Sequence, residues 1–199
     1  MRHSILGRTG LSIGRMGLGG LWLTADQADA DSVVRRAMES GVDYVDTAPS
    51  YGDSERVIGT ALAGVDRPVV ISTKLGGRPS PFDPRSVGKL IESARTSLRL
   101  LGRDRIDILM IHEPDRAEQY DWWTDATYDG PVWEAIEILR QEGVVGFVGI
   151  GGTTTTELAR LCESGRFDVV LTAFNFSQFD PLVGSHVERN AGRRRRESE

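Results

Sequence analysis

The sequence contains little cysteine, few aromatic residues and no long apolar run. Cys162 is the single cysteine among 199 residues, which excludes an internal disulfide and fits a reducing cytoplasm. No stretch approaches the roughly 18 apolar residues of a membrane span, and the first residues lack an apolar segment followed by a small-residue cleavage site. We therefore expect a cytoplasmic protein without a membrane partner.

Positive charge is also scarce. The chain has 24 Lys and Arg against 29 Asp and Glu, which is a formal net charge of −5. This balance disfavours a nucleic-acid partner, because such a partner favours an excess of basic residues. The exception is the arginine-rich stretch within residues 181–199. We expect a disordered, solvated tail there and a single folded domain over residues 1–180.

Short apolar runs alternate with helix-like segments along the chain. The alternation predicts an α/β fold with a parallel sheet and right-handed crossovers. In the last helix-like segment, Thr154 and Glu157 have the spacing of a capping box. Runs that fit strands buried on both faces are 14–23, 42–48, 68–74, 106–112, 144–152 and 168–174. Segments with helical spacing of apolar residues are 27–40, 54–63, 84–101, 131–142 and 154–164.

Two architectures have this alternation, a doubly wound open sheet and a (β/α) barrel. A dinucleotide fingerprint would favour the open sheet, but the nearest candidate, GLGGLW at residues 17–22, has Trp22 where the third glycine is required. Polar residues instead gather at the C-terminal ends of the predicted strands, where barrel active sites lie. We therefore predict a barrel.

Ionisable residues lie near the ends of three successive predicted strands. Asp46 follows VDYV, Lys74 follows VVIST, and His112 follows IDILMI. Tyr51 lies on the loop after Asp46. In a barrel these ends surround one mouth, so we expect the four side chains to meet. Each alone has an ordinary explanation as an ion pair, a loop aromatic or a structural histidine, and it is the combination that indicates a site.

The four side chains suit protonation of a carbonyl oxygen while hydride arrives at the carbon. Tyr51 would donate the proton, and the ammonium of Lys74 would lower the phenol pKa from its reference value of about 10. Asp46 would keep Lys74 charged, and a neutral His112 would donate a hydrogen bond to the carbonyl. An aldolase or isomerase with Lys74 as a Schiff-base amine is a weaker alternative. The sequence has neither paired cysteines nor a zinc-binding motif, so we predict no metal site.

Five stretches, in order, resemble the aldo-keto reductases. They read LGRTGLSIGRMGLGGLW, VDTAPSYGDSERVIGTAL, VVISTKLGG, SLRLLGRDRIDILMIHEPD and LRQEGVVGFVGIGG. Two stretches look most like the branch of aldose, galactose and pyridoxal dehydrogenases: DTAPSYG and the long segment IHEPDRAEQYDWWTDATYDGPVWEAIEIL. The resemblance implies a TIM-type (β/α)8 barrel with an N-terminal β-hairpin across its floor. It also implies an oxidoreductase of small carbonyl or sugar substrates that uses NADP or NAD, with NADPH favoured.

The resemblance also assigns roles to residues. Tyr51 would be the proton donor, tuned by Lys74 and Asp46, and His112 would orient the carbonyl. Where the family has a Ser-Asn pair for the carboxamide of the cofactor, this chain has two glycines, which offer only backbone groups. Residues expected to contact the cofactor are Gly20, Leu21, Asp46, Gly151 and Gly152. Residues expected to line a flat or sugar-like substrate are Trp22, Trp122 and Trp123.

The predicted barrel is incomplete. We identify about six strands where the family has eight, so we expect the chain to lack the last two strands and the segment that holds the adenine-ribose phosphate. An incomplete barrel has open parallel edges with unpaired backbone groups. Three explanations stay open: a fragment of a longer protein, a shifted reading frame, or completion by association with another chain, including self-association through the open edges. A non-catalytic fragment is thus the alternative to an active reductase.

Overall fold

The computed structural model describes residues 1–118 and 120–173, so the tail expected at 181–199 lies outside the described residues. An antiparallel hairpin comes first, with β1 at His3–Ile5 and β2 at Ser12–Gly14. Parallel strands then alternate with helices. The parallel strands are β3 Leu18–Gly19, β4 Tyr44–Asp46, β5 Val70–Leu75, β6 Ile106–His112, β7 Val145–Gly152 and β8 Val169–Thr172. The helices are α1 Ala30–Glu39, α2 Ser54–Leu62, α3 Val87–Leu101, α4 Pro131–Gln141 and α5 Thr155–Glu163.

The parallel strands lie in the sheet in the same order as in the chain, from β3 to β8. Because parallel crossovers are right-handed, an unreversed order places the helices on one face of the sheet. The sheet curls, and its other face becomes the inside of a half-barrel. The predicted incomplete TIM-type barrel is confirmed. The doubly wound alternative is excluded, since that fold requires a reversal of strand order.

The apolar core has an outer and an inner part. Between sheet and helices, Ile58 of α2 and Leu109 of β6 are fully buried. The neighbouring residue on β6, Ile108, faces the inside of the half-barrel, because successive strand residues point to opposite faces. Leu6 and Leu11 of the hairpin pack against this inner cluster, which places the hairpin across the floor. None of the described helices is long and apolar enough to cross a membrane.

Two carboxylates hold the hairpin against the sheet. Asp43, directly before β4, accepts hydrogen bonds from His3 Nε2 and from the backbone N–H of Gly14, both at 2.7 Å. Asp168, directly before β8, accepts one from Arg8 Nε at 2.9 Å. Both acids precede strands, so the hairpin lies at the N-terminal ends of the strands and leaves the C-terminal ends free.

Two predicted features differ locally from the structure. Within the run 14–23, only Leu18–Gly19 joins the parallel sheet, and Gly14 is instead the last residue of the hairpin strand β2. The capping box predicted at Thr154 does not form, because the Thr154 side chain makes no capping bond to α5. Instead, the Asp115 carboxylate accepts a hydrogen bond from the backbone N–H of Thr154 at 2.6 Å.

Helices α2 and α3 pack closely at Gly59. A Cβ at this position would lie 2.8 Å from backbone atoms of Leu101 and closer still to the carbonyl oxygen of Leu100. We expect Gly59→Ala to lower the free energy of unfolding by about 1–3 kcal/mol, because the helices must move apart. At about 2–4 °C per kcal/mol, thermal unfolding would show the loss clearly.

The matched control for this substitution is Gly88→Ala in α3. A Cβ at Gly88 would meet no atom within 4 Å. Alanine there raises helix propensity, so we expect an unchanged or slightly higher melting temperature. A Gly59→Ala variant that melts at or above the wild-type temperature would contradict the close packing of α2 on α3.

Candidate active site

The four ionisable residues predicted from the sequence meet at the C-terminal ends of three adjacent strands. Asp46 ends β4, Lys74 is the residue before the end of β5, and His112 ends β6. Tyr51 lies on the loop between β4 and α2. The parallel register of these strands brings their ends to the same edge of the sheet.

Lys74 is at the centre of this cluster. Its Nζ donates hydrogen bonds to Asp46 Oδ2 at 2.6 Å and to the carbonyl oxygen of Thr47 at 2.7 Å. Ser72 Oγ donates to the other carboxylate oxygen of Asp46 at 2.8 Å, which fixes the carboxylate. The Lys74 side chain is 1% exposed. Burial lowers the pKa of Lys74, and the charge of Asp46 opposes this shift.

Tyr51 packs against the same ammonium, with Lys74 Nζ lying 4.8 Å from the centre of its ring. Burial, and then the carboxylates of Asp46 and Glu113, raise the pKa of Tyr51 to about 12. The expected net lowering of the Tyr51 pKa is therefore wrong for this structure, because burial and the two carboxylates set the direction of the shift while the ammonium lies over the ring face. The phenol stays protonated, which is the form that a proton donor requires.

His112 completes the cluster as a neutral side chain. Its ring centre lies 5.7 Å from that of Tyr51 in an edge-to-face arrangement, and its Nδ1 is 3.3 Å from Ser50 Oγ. Burial, and then the charge of Lys74, lower the pKa of His112 to about 3, although Asp115 opposes the shift. The imidazole is therefore neutral near pH 7 and has one N–H donor, as the sequence predicted.

The three tryptophans expected to line a substrate pocket have different surroundings. Trp22 is 79% exposed on the turn after β3. Trp122 is fully buried, and its indole N–H donates to the carbonyl oxygen of His112 at 3.0 Å. Trp123 stacks on Trp133 of α4, with ring centres 6.2 Å apart. The expectation for Trp122 is wrong because it has no exposed surface, and it supports the strand end that carries His112.

Sequence reasoning missed Tyr120. Its half-buried ring lies 6.5 Å from the ring of His112 and 5.9 Å from that of Trp122, measured between centres. The loop after β6 has no periodicity that would show which aromatic side chain turns back towards the strand end. The only signal in the sequence is the aromatic richness of this loop after His112.

The residues expected to contact a cofactor lie around Lys74 and after β3. Gly151 of β7 borders Lys74, and a Cβ on it would lie 3.5 Å from Lys74 Cε. The same Cβ would also contact Leu171 and Met110 at 3.6 and 3.7 Å, so Gly151 contributes backbone groups at this position. The residues fit a planar ring such as nicotinamide in another respect, since Trp22 and Leu21 after β3 are exposed and offer it apolar contact. Gly20 and Gly152 are packed against protein atoms at less than 3.0 Å from an ideal Cβ, so they contribute backbone only. Leu21 is 46% exposed.

Comparison with known proteins relates this chain to one protein family. The family model described as "Aldo/keto reductase family" matches residues 10–191. Pyridoxal 4-dehydrogenase of Microbacterium luteolum is 29% identical over 89% of this chain and 63% of its own length. D-threo-aldose 1-dehydrogenase of Pseudomonas sp. is 30% identical over 89% of this chain and 60% of its own length. The chain thus spans less than two thirds of these relatives.

Similarity to solved structures extends over nearly the whole chain. Aldo-keto reductase AKR11C1 from Bacillus halodurans, in its holo form, superposes with a TM-score of 0.70 at 26% identity. The match covers 94% of this chain and 63% of that one. Since the family model spans most of the sequence and the half-barrel carries the expected residues at its strand ends, the chain belongs to the aldo/keto reductase family.

Proposed function

We propose that this chain is an NAD(P)-dependent oxidoreductase that interconverts a small carbonyl compound, an aldehyde, ketone or sugar, and the corresponding alcohol. The observation that carries the proposal is the buried ion pair of Lys74 and Asp46 packed against the ring of Tyr51, with neutral His112 beside it. A nicotinamide cofactor, when bound, would supply or accept the hydride at the carbonyl carbon.

The side chains would transfer the proton and stabilise the charge that develops on the substrate oxygen. In reduction, Tyr51 donates its proton to the carbonyl oxygen as that oxygen becomes negative. His112 donates a hydrogen bond to the same oxygen and orients it. The ammonium of Lys74 stabilises the phenolate that Tyr51 becomes, and Asp46 keeps that ammonium in place. In the reverse direction the phenolate accepts the proton of the alcohol.

The cofactor and substrate class rest on family membership and on the exposed side chains after β3. NADP or NAD is proposed, with NADPH favoured, because the chain belongs to the aldo/keto reductase family. The names of two relatives refer to pyridoxal and to an aldose, which supports a small polar carbonyl or sugar substrate. Trp22 and Leu21 are exposed after β3 and are the proposed apolar contacts.

The alternative is a chain of this family without catalytic activity, and cofactor binding tests it. A Schiff-base aldolase is less well supported than either, because Lys74 Nζ is buried and makes hydrogen bonds to two oxygen acceptors at 2.6 and 2.7 Å. An amine held in this way has no access to a substrate carbonyl.

Cofactor binding separates an oxidoreductase from a non-catalytic chain. A ligand at 100 times its dissociation constant stabilises the folded state by about 2.7 kcal/mol. We therefore expect NADPH to raise the melting temperature of residues 1–199 by about 5–10 °C, and a parallel titration with NADH to give the preference. A melting temperature that moves with neither cofactor would contradict the oxidoreductase proposal for this chain.

Tyr51→Phe tests the proton donor. The variant keeps the ring over Lys74 and removes the hydroxyl, so we expect kcat for carbonyl reduction to fall by at least about 100-fold with an unchanged circular dichroism spectrum. Tyr128→Phe is the control, since Tyr128 packs on Trp123 through its ring. An unchanged kcat in Tyr51→Phe would remove Tyr51 from the mechanism.

The buried His112 makes folding sensitive to acid. Its pKa is about 3 in the folded chain against an ordinary 6.5. Between these values the unfolded chain binds a proton that the folded chain does not, so stability is full above 6.5 and falls as the pH drops towards 3. We expect the free energy of unfolding to fall by about 1.4 kcal/mol per pH unit because of this group.

Urea unfolding at several pH values between the two pKa values measures this slope. His112→Gln keeps an N–H donor but cannot be protonated, so we expect the variant to lose stability less steeply than the wild type as the pH falls. Parallel slopes for the two proteins would show that His112 is protonated in the folded chain.

A further inference from the structure

Glu55 is a buried carboxylate that the proposed reaction does not use. It lies in the first turn of α2 and is 2% exposed. One carboxylate oxygen accepts a hydrogen bond from Thr73 Oγ1 at 2.6 Å, and the other pairs with the guanidinium of Arg78. Arg78 also donates to Ser97 Oγ of α3 at 3.0 Å. A buried ion pair contributes little net stability compared with well-packed apolar residues, so stability alone does not explain this network.

The contact with Thr73 links Glu55 to the strand that carries Lys74. Thr73 and Lys74 are consecutive on β5, so their side chains point to opposite faces of the sheet. Lys74 faces Asp46, while Thr73 faces the helix layer and meets α2. The turn that leads into α2 carries Tyr51. The hydrogen bond between Thr73 and Glu55 therefore connects the two segments that hold the phenol and the ammonium.

The preceding residue, Ser54, makes equivalent links to the other two strands. Its Oγ donates to the carbonyl oxygen of Gly20, after β3, at 2.7 Å and lies 3.0 Å from Thr47 Oγ1, after β4. The carbonyl oxygen of Thr47 in turn accepts a hydrogen bond from Lys74. The backbone N–H of Ser54 donates to the carbonyl oxygen of Tyr51 at 3.1 Å. The first turn of α2 thus joins three strand ends to the tyrosine turn.

We propose that Glu55 is a positioning residue for the candidate active site, which, through Thr73 and Arg78, holds the turn of Tyr51 against the strand of Lys74. The separation of phenol and ammonium then depends on this buried network. The kinetic consequence rests on the proposed function, whereas the effect on the surroundings of Lys74 does not. Charged or titratable groups that act on Lys74 or contact it are Asp46 of β4, Tyr51, Glu55 of α2, His112 of β6 and Glu113.

The lysine content of the chain allows a direct test. Lys74 and Lys89 are its two lysines, so lysine labelled with ¹³C at Cε gives two side-chain resonances for the full chain. Lys89, on α3, is 39% exposed and serves as the internal control. In Glu55→Gln we expect the Lys74 resonance to move and its titration midpoint to fall, because a negative charge that favours the ammonium is lost.

Thr73→Val tests the same link from the other partner without a change of charge. It preserves the shape of the side chain and removes the hydrogen bond to Glu55, so we expect the Lys74 resonance to move while that of Lys89 does not. Thr73→Ser restores a hydroxyl and is expected to restore the resonance. Ser93→Ala removes a buried hydroxyl of α3 that has no hydrogen-bond partner among the described residues, and should leave Lys74 unchanged.

Kinetics provide the second measurement. We expect Glu55→Gln and Thr73→Val to lower kcat by about 10- to 100-fold with little change in KM. The reason is that loss of these hydrogen bonds displaces the reacting groups from each other. We expect Thr73→Ser to recover kcat.

The outcomes separate the two proposals. A wild-type chain without activity, in which the Lys74 resonance still responds to both variants, would contradict the proposed function and support the positioning role. If Glu55→Gln does not fold, the result for Thr73→Val alone decides whether the positioning role holds. A Lys74 resonance that Thr73→Val leaves in place would overturn the positioning role, whatever the activity.

Discussion

The buried ion pair of Lys74 and Asp46 is the interaction on which the candidate site depends. An ammonium removed from water costs several kcal/mol unless an anion and further acceptors satisfy it. Here the acceptors, the Asp46 carboxylate and the carbonyl oxygen of Thr47, come from the end of β4, and the donor comes from β5. The pair therefore requires these two strands in their observed register, in which Asp46 is opposite Ser72.

The burial that isolates this pair also sets the protonation states around it. It raises the pKa of Tyr51 to about 12 and lowers that of His112 to about 3, so both side chains are neutral hydrogen-bond donors over a wide pH range. The ammonium lies over the tyrosine ring and is itself balanced by Asp46. One balanced cation beside two neutral donors is suited to a negative charge that develops on a substrate oxygen.

The order of elements and the residues at the strand ends were readable from the sequence for a simple reason. Strands of a parallel sheet are continuous apolar runs, so a polar residue where such a run reaches the barrel mouth stands out, as Asp46, Lys74 and His112 do. Loops have no such pattern. Trp122 was expected to meet a ligand and is fully buried, whereas Tyr120, which lies near His112, had no signal in the sequence beyond the aromatic richness of its loop.

The sequence by itself therefore determined the alternation of strands and helices, the barrel architecture and the four residue types that meet at the mouth. The tertiary structure decided the direction of the tyrosine pKa, the burial of Trp122 and the link from Glu55 to Thr73. These features depend on distances and on exclusion of water between segments that are remote in the chain. Local periodicity encodes which residues are apolar, and it does not encode which distant side chains they cover.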